Sequence, residues 1–78
     1  MRTKDPKAAR EYGLAIRRAR VRIGLKQIDL ARRLGVTRQA VAYWEHGIKS
    51  PSLTSMWALC NALAVDMEYL MQYAAKVK

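Results

Sequence analysis

Apolar residues recur along this chain at helical spacing, and turn-forming residues divide them into five helix-length pieces. In the first piece Tyr12, Ile16, Ala19 and Ile23 follow at intervals of four, three and four, which places them on one helical face. Asp5 and Pro6 read as N-cap and first helical position, since proline lacks only an N–H that a first turn leaves unpaired. Gly24 ends that helix. The second piece covers 27–34, with Ile28, Leu30, Ala31 and Leu34 apolar, and ends at Gly35. Thr37 caps a third, in which Ala40, Val41 and Trp44 share a face before Gly47. Ser52 caps a fourth with the stripe Leu53, Met56, Trp57, Cys60, Leu63 and Ala64. Asp66 opens a fifth, over 66–77, containing Met67, Leu70, Met71 and Ala74. No segment alternates as a strand would. The pattern predicts an all-α fold of five helices, forming a single domain over 1–78.

Residues 27–46 have the spacing of a helix-turn-helix, made by the second and third helices. Ala31 is small where the two helices would cross, so their axes can approach closely. Gly35 falls in the tight turn, where a left-handed backbone is needed and only glycine adopts it cheaply. Val36 would plug that turn into the core, and Val41 and Trp44 would anchor the third helix. This leaves Thr37, Arg38, Gln39, Ala42 and Tyr43 on its outer face, in position to enter a major groove.

Composition then narrows the partner. The chain has 78 residues and a net charge of +9. Residues 1–49 hold 13 basic and 4 acidic side chains and so carry the whole excess, whereas 50–78 hold 2 of each. Charge confined to one end points to a polyanion, with a separate neutral, apolar end. Nucleic acid fits better than a membrane surface, because no long helix combines the Lys/Arg with bulky apolar residues. With no leader-like segment and no apolar run near 18 residues, a soluble, cytoplasmic protein is expected. The single cysteine excludes an internal disulfide. Cys60 and His46 lack companions for a metal site, and no cofactor is expected. Cys60 lies on an apolar stripe and reads as a small buried hydrophobe, His46 as a solvated helix end.

The segments IRRAR, KQIDLARRLGVTRQAVAYWEHG, SPSLTSMWALCNALAV and DMEYL together resemble the Cro/CI-type helix-turn-helix family, also called the XRE family, from Ile16 to Leu70. The resemblance implies a five-helix, lambda-repressor-like fold and repressor-type DNA binding. Lys26 departs from the family's usual Ser/Thr cap before the second helix, and Ala64 stands where a glycine is common.

By that resemblance Arg38 and Gln39 occupy base-contacting positions. Arginine suits guanine O6/N7 and glutamine suits adenine N6/N7, each by two hydrogen bonds. Thr37 and Tyr43 are further base-contact candidates. Gln27 begins the second helix, where family members hold a phosphate with backbone N–H groups, an intrinsic property of helix N-termini. Lys26, Lys49 and Ser50 are the other phosphate candidates. Arg17, Arg18, Arg22, Arg32 and Arg33 read equally well as solvated surface. Arg20 and Glu45 match a family ion pair that would orient the third helix.

The neutral end offers more apolar surface than a thin core can absorb, and family members commonly dimerise there. Met67, Leu70, Met71, Tyr73, Ala74 and Val77 are the candidate dimer contacts. The expected function is sequence-specific binding of double-stranded DNA as a homodimer on an inverted repeat, acting most simply as a repressor. A second regulatory protein could provide control. The alternative is a protein-interaction module, such as an antitoxin or coactivator, using the same fold. No arrangement of nucleophile and base, paired acids or phosphate-cradling glycine loop suggests an enzyme.

Overall fold

Helix α1 runs Pro6–Arg22, α2 Gln27–Leu34, α3 Arg38–Glu45, α4 Leu53–Leu63 and α5 Met67–Ala75. This computed structural model describes residues 6–75, and side chains for 7–72. Asp5 and Val77, and the side chains of Tyr73 and Ala74, lie outside the described residues. All five expected helices are present, and no strand occurs among the described residues.

The local stops work through hydrogen bonds. Gly35 takes φ 70°, ψ 30°, and the next residue, Val36, donates its N–H to the Ala31 carbonyl at 3.0 Å. That bond satisfies a carbonyl the helix end leaves open. Thr37 Oγ1 accepts from the Ala40 N–H at 3.1 Å, and Ser52 Oγ from the Ser55 N–H at 3.1 Å. Asp66 Oδ1 accepts from the Tyr69 N–H at 2.9 Å, so Asp66 caps α5 from outside it. Lys26 has no side-chain acceptor to cap α2. Asp29 instead accepts the Lys26 N–H at 3.0 Å, one half of a capping box.

Helix α1 packs against α3, α4 and α5, while α2 lies across α3 and α4. The core holds Ala15, Ile16 and Ala19 of α1, Leu30 and Ala31 of α2, Val41 and Trp44 of α3, Leu59, Cys60 and Leu63 of α4, and Leu70 of α5. Burying each larger aliphatic side chain contributes about 1.5–3 kcal/mol. One contact is made by backbone alone. A Cβ on Gly13 would lie 2.5 Å from the Trp44 carbonyl oxygen and closer still to that of Glu45. Glycine at 13 therefore lets α1 touch the last turn of α3.

The structure corrects four apolar assignments. Ile23, Leu53 and Trp57 are exposed, Leu53 by 75% and Trp57 by 64%, and Ala64 is exposed beyond the end of α4. Leu59, absent from the expected stripe, is fully buried. Helix α4 is apolar on most of its circumference, so periodicity admits two stripes, and the helix buries Met56–Leu59–Cys60–Leu63. Leu70 is likewise 0% exposed: it belongs to the core and has no surface to offer a partner.

Ala64 adopts φ 59°, ψ 40°, alone among the described non-glycine residues in having positive φ. An L-residue in this region costs about 1–2 kcal/mol through crowding of its Cβ. Ala64→Gly is expected to raise stability by about 1 kcal/mol, and Tm by about 4–8 °C for a domain this small. A thermal melt that is unchanged or lower would show that the turn carries no such strain.

Candidate nucleic-acid interface

Helix α3 has two chemically separate faces. Val41, Trp44 and Glu45 point inward and are buried. Thr37, Arg38 and Gln39 are exposed at its N-terminal end, and Ala42 and Tyr43 are half-buried one turn on. The Thr37 side chain is committed to the cap, which leaves Arg38 and Gln39 as the exposed side chains with unused donors and acceptors.

The inner face is tied to α1 by an ion pair. Arg20 Nε donates to Glu45 Oε2 at 2.5 Å and Nη2 to Oε1 at 2.9 Å, a two-point contact. Arg20 Nη1 donates to the Leu25 carbonyl at 2.9 Å, which also fixes the α1–α2 turn. The side chains are only 11% and 2% exposed. Hydrogen bonding to Glu45 raises the Arg20 pKa, against a smaller opposing effect of burial, so the guanidinium stays charged. Sequence pairing of residues 20 and 45 thus corresponds to a direct contact.

From Glu45 the network continues outward. Gln27 Nε2 donates to Glu45 Oε1 at 3.1 Å, and Gln27 Oε1 accepts from Arg38 Nη1 at 3.0 Å. A chain of four side chains therefore links α1 to the tip of α3. This link was not anticipated from the sequence, where Gln27 read only as a phosphate ligand. Gln39 Nε2 donates to the Tyr43 hydroxyl at 2.8 Å. Lys49 Nζ stands over the Tyr43 ring, 5.3 Å from its centroid. Lys26, Lys49 and Ser50 are exposed.

A polar depression opens where α1, α2 and α3 meet, lined by Leu14, Arg17, Arg20, Gln27, Glu45 and His46. It brings exposed Arg17 beside the start of α2, a proximity that sequence reasoning missed because the two residues belong to different helices. Arg22 lies elsewhere, over the Tyr69 ring at 5.8 Å.

Cys60 is buried, with Sγ 3.5 Å from Met67 Sδ. Burial first, and the Asp66 charge second, push its thiol pKa up, which keeps it protonated and unreactive. Among the described residues no group of His, Cys, Asp and Glu is placed to hold a metal ion. No described helix is long and apolar enough to cross a membrane.

The helix-turn-helix family pattern matches residues 16–70 of this chain. The chain is 40% identical over 53 residues to the uncharacterized HTH-type transcriptional regulator YgzD of Bacillus subtilis (strain 168), covering 68% of this chain and 80% of YgzD. Its fold is similar to the restriction-modification controller protein C.AhdI from Aeromonas hydrophila, with TM-score 0.76 and 31% identity, over 80% of this chain and 94% of that one. It is also similar to the P22 c2 repressor protein in complex with a synthetic operator, with TM-score 0.72 and 30% identity, over 76% and 89% of the two chains. Fold, matched residues and the two-faced α3 agree: the chain belongs to the Cro/CI-type (XRE) helix-turn-helix family of DNA-binding transcriptional regulators.

Proposed function

We propose that this protein binds double-stranded DNA sequence-specifically as a homodimer on an inverted repeat and represses transcription there. The observation that carries the proposal is the exposure of Arg38 and Gln39, side by side, on a helix whose opposite face is locked to α1. In this reading Arg38 and Gln39 contact bases, while the N-terminus of α2 with Lys26 and Gln27, and the loop residues Lys49 and Ser50, hold phosphates. Likeness to a repressor seen on its operator supports that assignment. Arg17, beside Gln27, joins the phosphate group. For the partner contact, exposed Leu53, Trp57 and Met71 take the place that buried Leu70 cannot fill. Trp57 and Leu53 lie one turn apart on α4, and aromatic side chains dominate contacts of this type.

The test is a base-by-base competition series on a site selected from random duplexes. Gln39→Ala and Arg38→Ala should each remove about 1–3 kcal/mol of discrimination at one base pair per half-site. Lys49→Ala should weaken all sequences about equally. If the three variants behaved alike, α3 would not be reading sequence. If no duplex were bound, the protein-interaction alternative would replace this one. Sedimentation of Trp57→Ser in the same series should give a monomer with weakened half-site cooperation, and an unchanged dimer would remove α4 from the interface.

A further inference from the structure

Tyr43 stands where a direct contact with DNA was expected of it, yet its hydroxyl already has a partner. It accepts from Gln39 Nε2 at 2.8 Å, across one helical turn. Its backbone carbonyl accepts from the Ile48 N–H at 2.9 Å, and its ring lies under Lys49 Nζ. The ring is half-buried, so Tyr43 is held from three sides while Gln39 is exposed and otherwise unsupported.

We infer that Tyr43 is a positioning residue that sets how Gln39 reads its base, holding the Gln39 side chain so that the free edge of its amide meets adenine. The inference rests on the reading of α3 as the base-contacting helix. A glutamine amide has two N–H donors and one carbonyl acceptor. With one N–H given to Tyr43, the outward edge offers Oε1 and the remaining N–H. That acceptor–donor pair matches adenine, whose N6 donates and whose N7 accepts. Guanine presents O6 and N7, two acceptors, and O6 would meet Gln39 Oε1 without a proton between them. Without the hydroxyl, the Gln39 side chain loses the partner at 2.8 Å that holds it in place, and the distinction weakens. Holding the amide before contact also removes rotamers that binding would otherwise have to freeze.

The variant Tyr43→Phe tests this, because it keeps the ring and deletes only the hydroxyl. Its thermal melt, taken alongside, verifies that the fold is retained. A two-point contact favours its base by roughly 5- to 150-fold. Tyr43→Phe is expected to lower the adenine-over-guanine preference at the base pair read by Gln39 at least about fivefold. The preference at the Arg38 base pair should fall far less. In a double-mutant cycle, adding Tyr43→Phe to Gln39→Ala should cause no further loss at that base pair. Loss of preference at a different base pair would mean that Tyr43 touches a base itself, and equal weakening on every sequence would mean a phosphate contact. Either result overturns the inference, as does guanine as the base selected opposite Gln39. If Gln39→Ala alone left base preference unchanged, the failure would lie with the reading helix and not with Tyr43.

Discussion

Glu45→Ala is expected to lower stability by about 3–5 kcal/mol, because it strands Arg20 as an unpaired, nearly buried charge. A domain of this length has a total stability of roughly 4–12 kcal/mol, so the loss is a large share of it. The Tm should fall by more than about 10 °C, and binding should weaken on all DNA sequences together. Gln27 would also lose its acceptor on α3 at 3.1 Å, and with it the anchor for Arg38. Glu45→Gln keeps the hydrogen-bond acceptor and removes the charge, so it should fall between the variant and the parent. Replacing both partners, Arg20→Leu with Glu45→Met, should recover much of the stability, since apolar side chains of similar volume remove the desolvation cost altogether. A melt of Glu45→Ala within about 2 °C of the parent would contradict a buried pair whose loss costs this much.

Gly13→Ala should be as damaging, although it adds one methyl group. Overpacking a well-filled core costs about 1–3 kcal/mol when side chains can shift. Here the obstacles are the carbonyl oxygens of Trp44 and Glu45, which belong to the backbone of α3 and cannot rotate away. The helices must separate, and separation pulls at the Arg20–Glu45 pair next to the contact. A loss above about 3 kcal/mol is expected, visible as a large shift in urea midpoint. Gly13→Ser should do no better, since its Cβ meets the same atoms. Near-parental stability of Gly13→Ala would mean that α1 and α3 have room to slide.

Much of this arrangement is legible in the sequence, and the reasons differ from element to element. Gly24, Gly35 and Gly47 all take positive φ, at the ends assigned to the first three helices. Thr37 and Ser52 cap where expected because a hydroxyl three residues before an open N–H has few other uses. These are local effects, decided within a few residues. The face of α4 is not local: Leu53, Met56, Trp57, Leu59 and Leu63 satisfy two helical stripes equally, and only the helices beneath choose Leu59 over Trp57. Gly13 carried no signal either. It sits inside a helix with no turn to mark, and its role depends on carbonyls more than thirty residues away. The links Gln27–Arg38 and Gln39–Tyr43 were hidden for another reason. Each residue has a sufficient separate explanation as a DNA ligand, so nothing in the chain asks for a contact between them.

The division of α3 into a buried face and an exposed one has an evolutionary consequence. Val41, Trp44 and Glu45 maintain the fold, and Arg38 and Gln39 take no part in the core. Exposed side chains of this kind can usually be exchanged within about 0.5 kcal/mol. If Arg38 and Gln39 read bases as proposed, the target sequence can be rewritten with little risk to folding, provided that position 43 changes in step with position 39. On that reading a duplicated copy of the gene would reach a new operator through folded intermediates, regaining full discrimination only once positions 39 and 43 had both changed. Recoding experiments that graft residues 38 and 39 without 43 would then give proteins that fold well and discriminate poorly.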